Sequence, residues 1–135
     1  MGKKILIIED TVRMSNLLKL YLEKEAYQID IYDNGEKGLS QALKNHYDLI
    51  IINLFVKGMD GFKVLEELRK KKTTPVYMIS AICGGYNKKR SLMLGATEYI
   101  LMPFSPREII LKVKKQLAPA PLTPRKDMGT VLLLA

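Results

Sequence analysis

Leu49-Ile50-Ile51-Ile52-Asn53 is apolar for four residues and stops on a polar one. Gly58-Met59-Asp60-Gly61 follows shortly after. A short apolar run without alternation, closed by turn residues, reads as a strand buried on both faces. Ile5-Leu6-Ile7-Ile8 repeats the pattern and is closed by Glu9-Asp10. Two such strands in one short chain call for a parallel sheet covered on both sides by helices.

The intervening stretches supply those helices. Met14, Leu17, Leu18, Tyr21 and Leu22 fall at helical spacing and predict a first helix over 12–26. Gln28-Ile29-Asp30-Ile31-Tyr32 alternates with period two, as a half-covered edge strand does. Asn34-Gly35 is a turn signal, and Leu39, Ala42 and Leu43 form a short helical stripe. Asp60 is a good N-cap for a helix carrying Phe62, Val64, Leu65 and Leu68. Arg69-Lys70-Lys71-Lys72 closes that helix, where cations suit its negative end. Pro75-Val76-Tyr77-Met78-Ile79-Ser80 reads as a fourth strand and Tyr99-Ile100-Leu101 as a short fifth. Gly84-Gly85 is expected in a flexible loop, with a helix from Lys88 to Leu94 stopped by Gly95. Ser105-Pro106-Arg107-Glu108 starts the last helix with Ser at N-cap, Pro at N1 and Glu at N3. Its buried face is Ile109, Ile110, Val113 and Leu117. Strand and helix thus alternate five times, which predicts an α/β doubly wound parallel sheet of flavodoxin-like (βα)5 type, order 2-1-3-4-5. Ligand sites in such sheets lie beyond the carboxyl ends of the strands, so Glu9, Asp10, Asn53, Ser80 and Met102 are the residues to inspect.

The chain of 135 residues fits one domain. Its 47% apolar and 27% charged composition excludes disordered, collagen-like and low-complexity classes. No apolar run is long enough to span a bilayer, and the start lacks a signal-peptide core, so the cytoplasm is the expected location. Cys83 is the only cysteine, which excludes an internal disulfide and a cysteine-based structural zinc site. It sits beside two glycines, and a lone thiol without a base is read as inert. His46 has no ligand partners at metal spacing and is read as structural. The net charge of +8 is uneven: residues 1–62 carry 8 Lys and Arg against 9 Asp and Glu, and residues 63–117 carry 12 against 4. Residues 1–118 are expected to form the domain and the proline-rich 119–127 a stiff linker. Residues 128–135, with apolar Val131-Leu132-Leu133-Leu134, either begin a second domain or dock on the first.

The strand-end residues carry a recognisable pattern. Glu9-Asp10, Asn53-Leu54 before Gly58-Met59-Asp60-Gly61-Phe62, Ser80-Ala81, Gly95-Ala96-Thr97-Glu98-Tyr99 and Met102-Pro103-Phe104 occur in order. Over residues 3–117 the chain resembles the receiver domain of two-component response regulators, the CheY-like family. The resemblance implies phosphoryl transfer from a histidine kinase to an aspartate ending the third strand, beside Mg²⁺ held by an acidic pair. Glu9 and Asp10 match that pair, Asn53 takes the phosphoacceptor position, and Phe55 matches the residue whose carbonyl ligates the metal. Ser80 matches the hydroxyl that meets the phosphoryl group, Tyr99 the aromatic switch coupled to it, and Met102 takes the place of the lysine. Met102-Pro103 matches the family's cis peptide.

Two departures fall on the chemistry. A carboxylate forms an acyl phosphate, whereas an amide oxygen is a far poorer nucleophile and a neutral Mg²⁺ ligand. Met102 brings no cation to the transferring group. Losing Asp and Lys together leaves the site's charge at −2 and strands no lysine without its partner, which favours natural degeneracy over a single engineered change. No residue is assigned as catalytic, and Mg²⁺ on Glu9, Asp10, Asn53 and Phe55 is expected to be weak at best. Lys57, in the following loop, stands near the rim and is read as solvated.

The resulting expectation is a pseudo-receiver, not an enzyme, that works by protein–protein contact. Its partner surface would be the fourth helix, fifth strand and fifth helix, with Lys88, Lys89, Arg90, Arg107, Lys112, Lys114 and Lys115. An acidic partner, or a homodimer bridged through Glu98 and Glu108, would suit it. One alternative is an active regulator phosphorylated on a surrogate, Asp60 or Ser80. Another is sequence-independent nucleic-acid binding by the basic helices, for which no reader motif is present. A flavin carrier would share the fold, but Glu9-Asp10 would repel its phosphate.

Overall fold

In the computed structural model, residues 2–82 and 85–119 are described. The elements in chain order are β1 (Lys4–Ile8), α1 (Val12–Glu23), β2 (Gln28–Tyr32), α2 (Gly35–Lys44), β3 (Leu49–Asn53), α3 (Gly61–Arg69), β4 (Val76–Ser80), α4 (Gly85–Met93), β5 (Glu98–Leu101) and α5 (Pro106–Leu117). All strand pairs are parallel, and the sheet order is β2-β1-β3-β4-β5, as expected.

The apolar runs are explained by two cores, one on each side of the sheet. Leu6, Ile8, Ile50, Ile52, Val76 and Met78 face Leu39 and Ala42 of α2 and Val64, Leu65 and Leu68 of α3. The alternate residues Ile5, Ile7, Leu49, Ile51, Tyr77 and Ile79 face Leu18 and Leu22 of α1 and Ile109, Val113 and Leu117 of α5. Truncating one such fully buried side chain to Ala costs about 2–5 kcal/mol. Strand β2 lies at the edge and is nowhere fully buried, which is why it alone alternates.

Asp60 and Ser105 cap α3 and α5 as expected, and Asn34, read as a turn residue, caps α2. Asn34 Oδ1 accepts from the N–H groups of Glu36 and Lys37. Asp60 Oδ1 accepts from Lys63 N–H and Ser105 Oγ from Glu108 N–H. Each cap is worth about 1 kcal/mol.

Two boundaries differ from the sequence reading. Helix α1 ends at Glu23 rather than 26, because Ala26 adopts φ 68° and turns the chain toward β2. The last turn tightens to three-residue bonds, Glu25 N to Leu22 O and Ala26 N to Glu23 O. Gly85 is the first residue of α4, not part of a flexible loop. A glycine's helix penalty matters least in the first turn, where N–H groups lack intrahelical partners anyway. Cys83 and Gly84 lie outside the described residues, as do 120–135 with most of the expected linker and the apolar tail.

Candidate functional site

Strands β1 and β3 run in parallel register, Ile8 beside Ile52. Glu9 and Asn53 therefore emerge together at the carboxyl end of the sheet. Asn53 Nδ2 donates to both Oε1 and Oε2 of Glu9, at 3.0 Å each. Asn53 Oδ1 accepts from Phe55 N–H at 2.9 Å. The amide has one workable orientation, since turning it over would set its oxygen against the carboxylate and its NH₂ against an N–H. Thr11 N–H also donates to Glu9 Oε2, at 2.9 Å.

Glu9 is 1% exposed. Burial pushes its carboxyl above the usual range, and the donors from Thr11 and Asn53 counter this only in part, with the Asp10 charge adding to the rise. Asp10 Oδ2 accepts from the backbone N–H of Lys57 at 3.0 Å. Lys57 thus meets the site through its backbone, and its residue is exposed. Its carbonyl accepts from Gly35 N–H at 2.9 Å, so the loops after β1, β2 and β3 are tied together.

Ser80 and Tyr99 converge on Ile82. Ser80 is fully buried, and its Oγ accepts from Ile82 N–H at 3.1 Å. Tyr99 Oη donates to the Ile82 carbonyl at 3.1 Å. Met102 packs against the α1/α5 core, and its N–H donates to the Ser80 carbonyl at 2.7 Å. The Met102–Pro103 peptide is cis. Thr11 and Ile82 were not singled out from the sequence. Thr11 carries the signal of a helix-start residue, whereas Ile82 enters only through contacts distant in the chain.

Mg²⁺ favours an octahedral set of oxygen donors with carboxylates among them. Here both Glu9 oxygens face N–H donors, Asn53 aims NH₂ groups rather than an oxygen at that carboxylate, and Asp10 Oδ2 accepts from Lys57. No cluster of three or more His, Cys, Asp or Glu suited to a metal occurs among the described residues. As arranged, the Glu9 carboxylate and one Asp10 oxygen are engaged by N–H donors, and Asn53 adds no third carboxylate beside them. The surrogate acceptors are engaged as well, Asp60 as the cap of α3 and Ser80 in its turn to Ile82.

The basic residues are less focused than the sequence suggests. Arg90 stacks over Phe62 of α3, its guanidinium 4.2 Å from the ring centre. Lys112 pairs with Glu98 and Lys114 with Glu25 just beyond α1. Lys88, Lys89, Arg107 and Lys115 have no ion-pair partner among the described residues. The α4 surface is instead notable for exposed Tyr86 and Met93, which with Lys89, Arg90 and Leu94 line a cavity of about 450 Å³. His46 is exposed, with Nε2 3.1 Å from Asp48 Oδ1, and holds no core position.

The fold is a (βα)5 doubly wound parallel sheet with an acidic pair, Glu9 and Asp10, after β1 and beside the end of β3. The chain matches the family model for the response regulator receiver domain over residues 5–114, and it belongs to that family. It is 41% identical over 120 residues to the transcriptional regulatory protein ResD of Bacillus subtilis, covering 89% of this chain and 50% of the relative. It is 40% identical over 114 residues to the transcriptional regulatory protein SrrA of Staphylococcus aureus, covering 84% and 47%. The chain therefore spans about half the length of the curated relatives it matches. Similar solved structures include a putative response regulator from Chloroflexus aurantiacus, at TM-score 0.81 and 30% identity, covering 88% of this chain and 100% of that one. A CheY-like receiver domain protein from Methanospirillum hungatei gives TM-score 0.82 and 28% identity, covering 87% and 94%. No described helix is long and apolar enough to cross a membrane.

Proposed function

We propose that this receiver domain is not phosphorylated at position 53 and signals through protein contacts alone. The observation that carries the reading is the state of Asn53. Its amide donates to Glu9 and accepts from Phe55, and it offers no carboxylate nucleophile. Met102, an uncharged side chain packed against the α1/α5 core, supports the same reading, because phosphoryl transfer depends on positioned charge. The domain occupies residues 1–118, and 119–127 link it to residues 128–135. Its partner docks on α4, β5 and α5, where exposed Tyr86, Met93, Leu101 and Leu111 lie among Lys88, Lys89, Arg107 and Lys115. Apolar centres with charged rims are the usual anatomy of such contacts.

The test is intact mass after incubation with acetyl phosphate and Mg²⁺. The native chain is expected to gain no phosphoryl group, and the Asn53→Asp, Met102→Lys double variant is expected to gain one. Labelling of the native chain would overturn the proposal and direct the search to a surrogate acceptor.

A further inference from the structure

The amino end of the sheet holds a second concentration of charge. A cavity of about 560 Å³ opens there, lined by His46, Tyr47, Asp48, Arg69, Lys71, Lys72, Thr73, Thr74 and Pro75. That volume falls within the range of small-molecule sites. Asp48 and Pro75 lie just ahead of β3 and β4. A five-residue strand at ~3.3 Å per residue puts the cavity roughly 16 Å from the Glu9–Asn53 end.

Its cations are held in place by backbone carbonyls rather than by carboxylates. Arg69 donates from Nε and Nη2 to the Gly95 carbonyl, at 3.1 and 2.9 Å, and from Nη1 to the Lys72 carbonyl at 3.2 Å. Lys72 Nζ donates to the carbonyls of Ala42 and Asn45 at 2.8 and 2.7 Å, closing the end of α2. A guanidinium has five N–H groups and an ammonium three, so both retain donors. Neither Arg69, Lys71 nor Lys72 has an ion pair among the described residues. The carboxylates of Glu66 and Glu67 are taken by Lys63 and Lys70. Asp48, the acid that lines the cavity, accepts from Lys4 N–H at 2.8 Å and lies 3.1 Å from His46.

We propose that this cavity binds a small dianionic phosphate ester. Arg69, Lys71 and Lys72 against Asp48 leave an excess of two positive charges, which matches a dianion. The Lys71 and Lys72 ammonium groups and the remaining N–H groups of Arg69 suit the oxygens of a phosphate, and Thr73 and Thr74 line the same cavity. The carbonyl clamps fix Arg69 and Lys72 before any ligand arrives, which lowers the ordering cost of binding. The organic part of the ester rests on Pro75. Nucleic acid fits less well, because the charge is gathered in a concavity rather than spread along a groove.

The experiment is an NMR titration of the full 135-residue chain with phenyl phosphate and with inorganic phosphate, at constant ionic strength in NaCl. Saturable shifts of the Asp48, Thr73 and Thr74 amides are expected, with phenyl phosphate binding more tightly than phosphate. Lys72→Met and Lys71→Gln are each expected to weaken binding about tenfold, the effect of one charge-assisted hydrogen bond. Lys71 is exposed, so its variant reports on binding even if Lys72→Met loosens α2. Lys37→Gln, an exposed lysine away from the cavity, is expected to change nothing. Shifts that stay linear, or a Lys37→Gln loss as large as that of Lys71→Gln, would overturn the site as general charge screening. A short DNA duplex shifting the same amides at lower concentration than phenyl phosphate would overturn the small-ligand assignment in favour of nucleic acid.

Discussion

The two ends of the sheet solve opposite electrostatic problems with the same backbone. At the carboxyl end, carboxylates meet N–H groups: Glu9 takes Thr11 N–H and the Asn53 amide, and Asp10 takes Lys57 N–H. At the amino end, cations meet carbonyls: Arg69 takes Gly95 and Lys72, and Lys72 takes Ala42 and Asn45. The cause is parallel topology. It collects helix starts, with spare N–H groups, at one end and helix finishes, with spare carbonyls, at the other. The difference teaches where ligand capacity remains. Asn53 has its oxygen and its NH₂ spent inside the first end, whereas Arg69 and Lys72 keep donors at the second.

The largest effect is expected where the carboxyl-end loops touch. A Cβ on Gly35 would collide with the backbone of Met59, whereas one on Gly85 would meet nothing within 4 Å. Gly35→Ala is expected to destabilise by about 3 kcal/mol, the upper range for overpacking. Gly85→Ala is expected to be neutral or to stabilise by up to about 1 kcal/mol, both read from urea midpoints. Equal effects would show that the loop contact does not hold that end together.

Asn53→Asp sharpens the comparison next. It removes two N–H contacts from Glu9 and adds a third carboxylate, so a loss of about 2 kcal/mol at pH 7 is expected. The loss should shrink as acid neutralises the cluster. At the amino end, Lys72→Met leaves two carbonyls without their donor. A loss of about 1–2 kcal/mol is expected, read from urea midpoints.

The smallest effect concerns Glu9 itself. Its folded-state pKa is raised, so the charged form is less favoured in the folded chain than in the unfolded one. The resulting penalty is complete above the folded pKa and is relieved as pH falls through it toward the unfolded value near 4.5. The stability difference between native chain and Glu9→Gln should therefore shift in favour of the native chain as pH is lowered from 7. A difference that stays flat with pH would show that Glu9 is not desolvated.

Much of this was legible in the residues. Ile5–Ile8 and Leu49–Ile52 specify central strands because a strand covered on both faces cannot alternate. Gln28–Tyr32 specifies an edge because it does alternate. Asp60 and Ser105 specify caps because their acceptors reach N–H groups three residues ahead. Asn53 and Met102 were visible as departures from a motif whose other members are in order. The end of α1 was not legible, since nothing in Ala26 announces a positive φ. Nor was the dispersal of the basic residues, because sequence spacing does not reveal that Arg90 leans on Phe62 or that Lys114 reaches Glu25.

What the sequence determined by itself is therefore the sheet, its order, the starts of α1, α3 and α5 and the identity of the altered site. These follow from periodicity and from hydrogen bonds that span a few residues. What only tertiary structure decided is how polar groups distant in the chain were matched. Asn53 came to spend its amide on Glu9, 44 residues away, and Arg69 came to rest on Gly95, 26 residues away. Such pairings depend on which strand ends the parallel register brings side by side, and no local pattern encodes them.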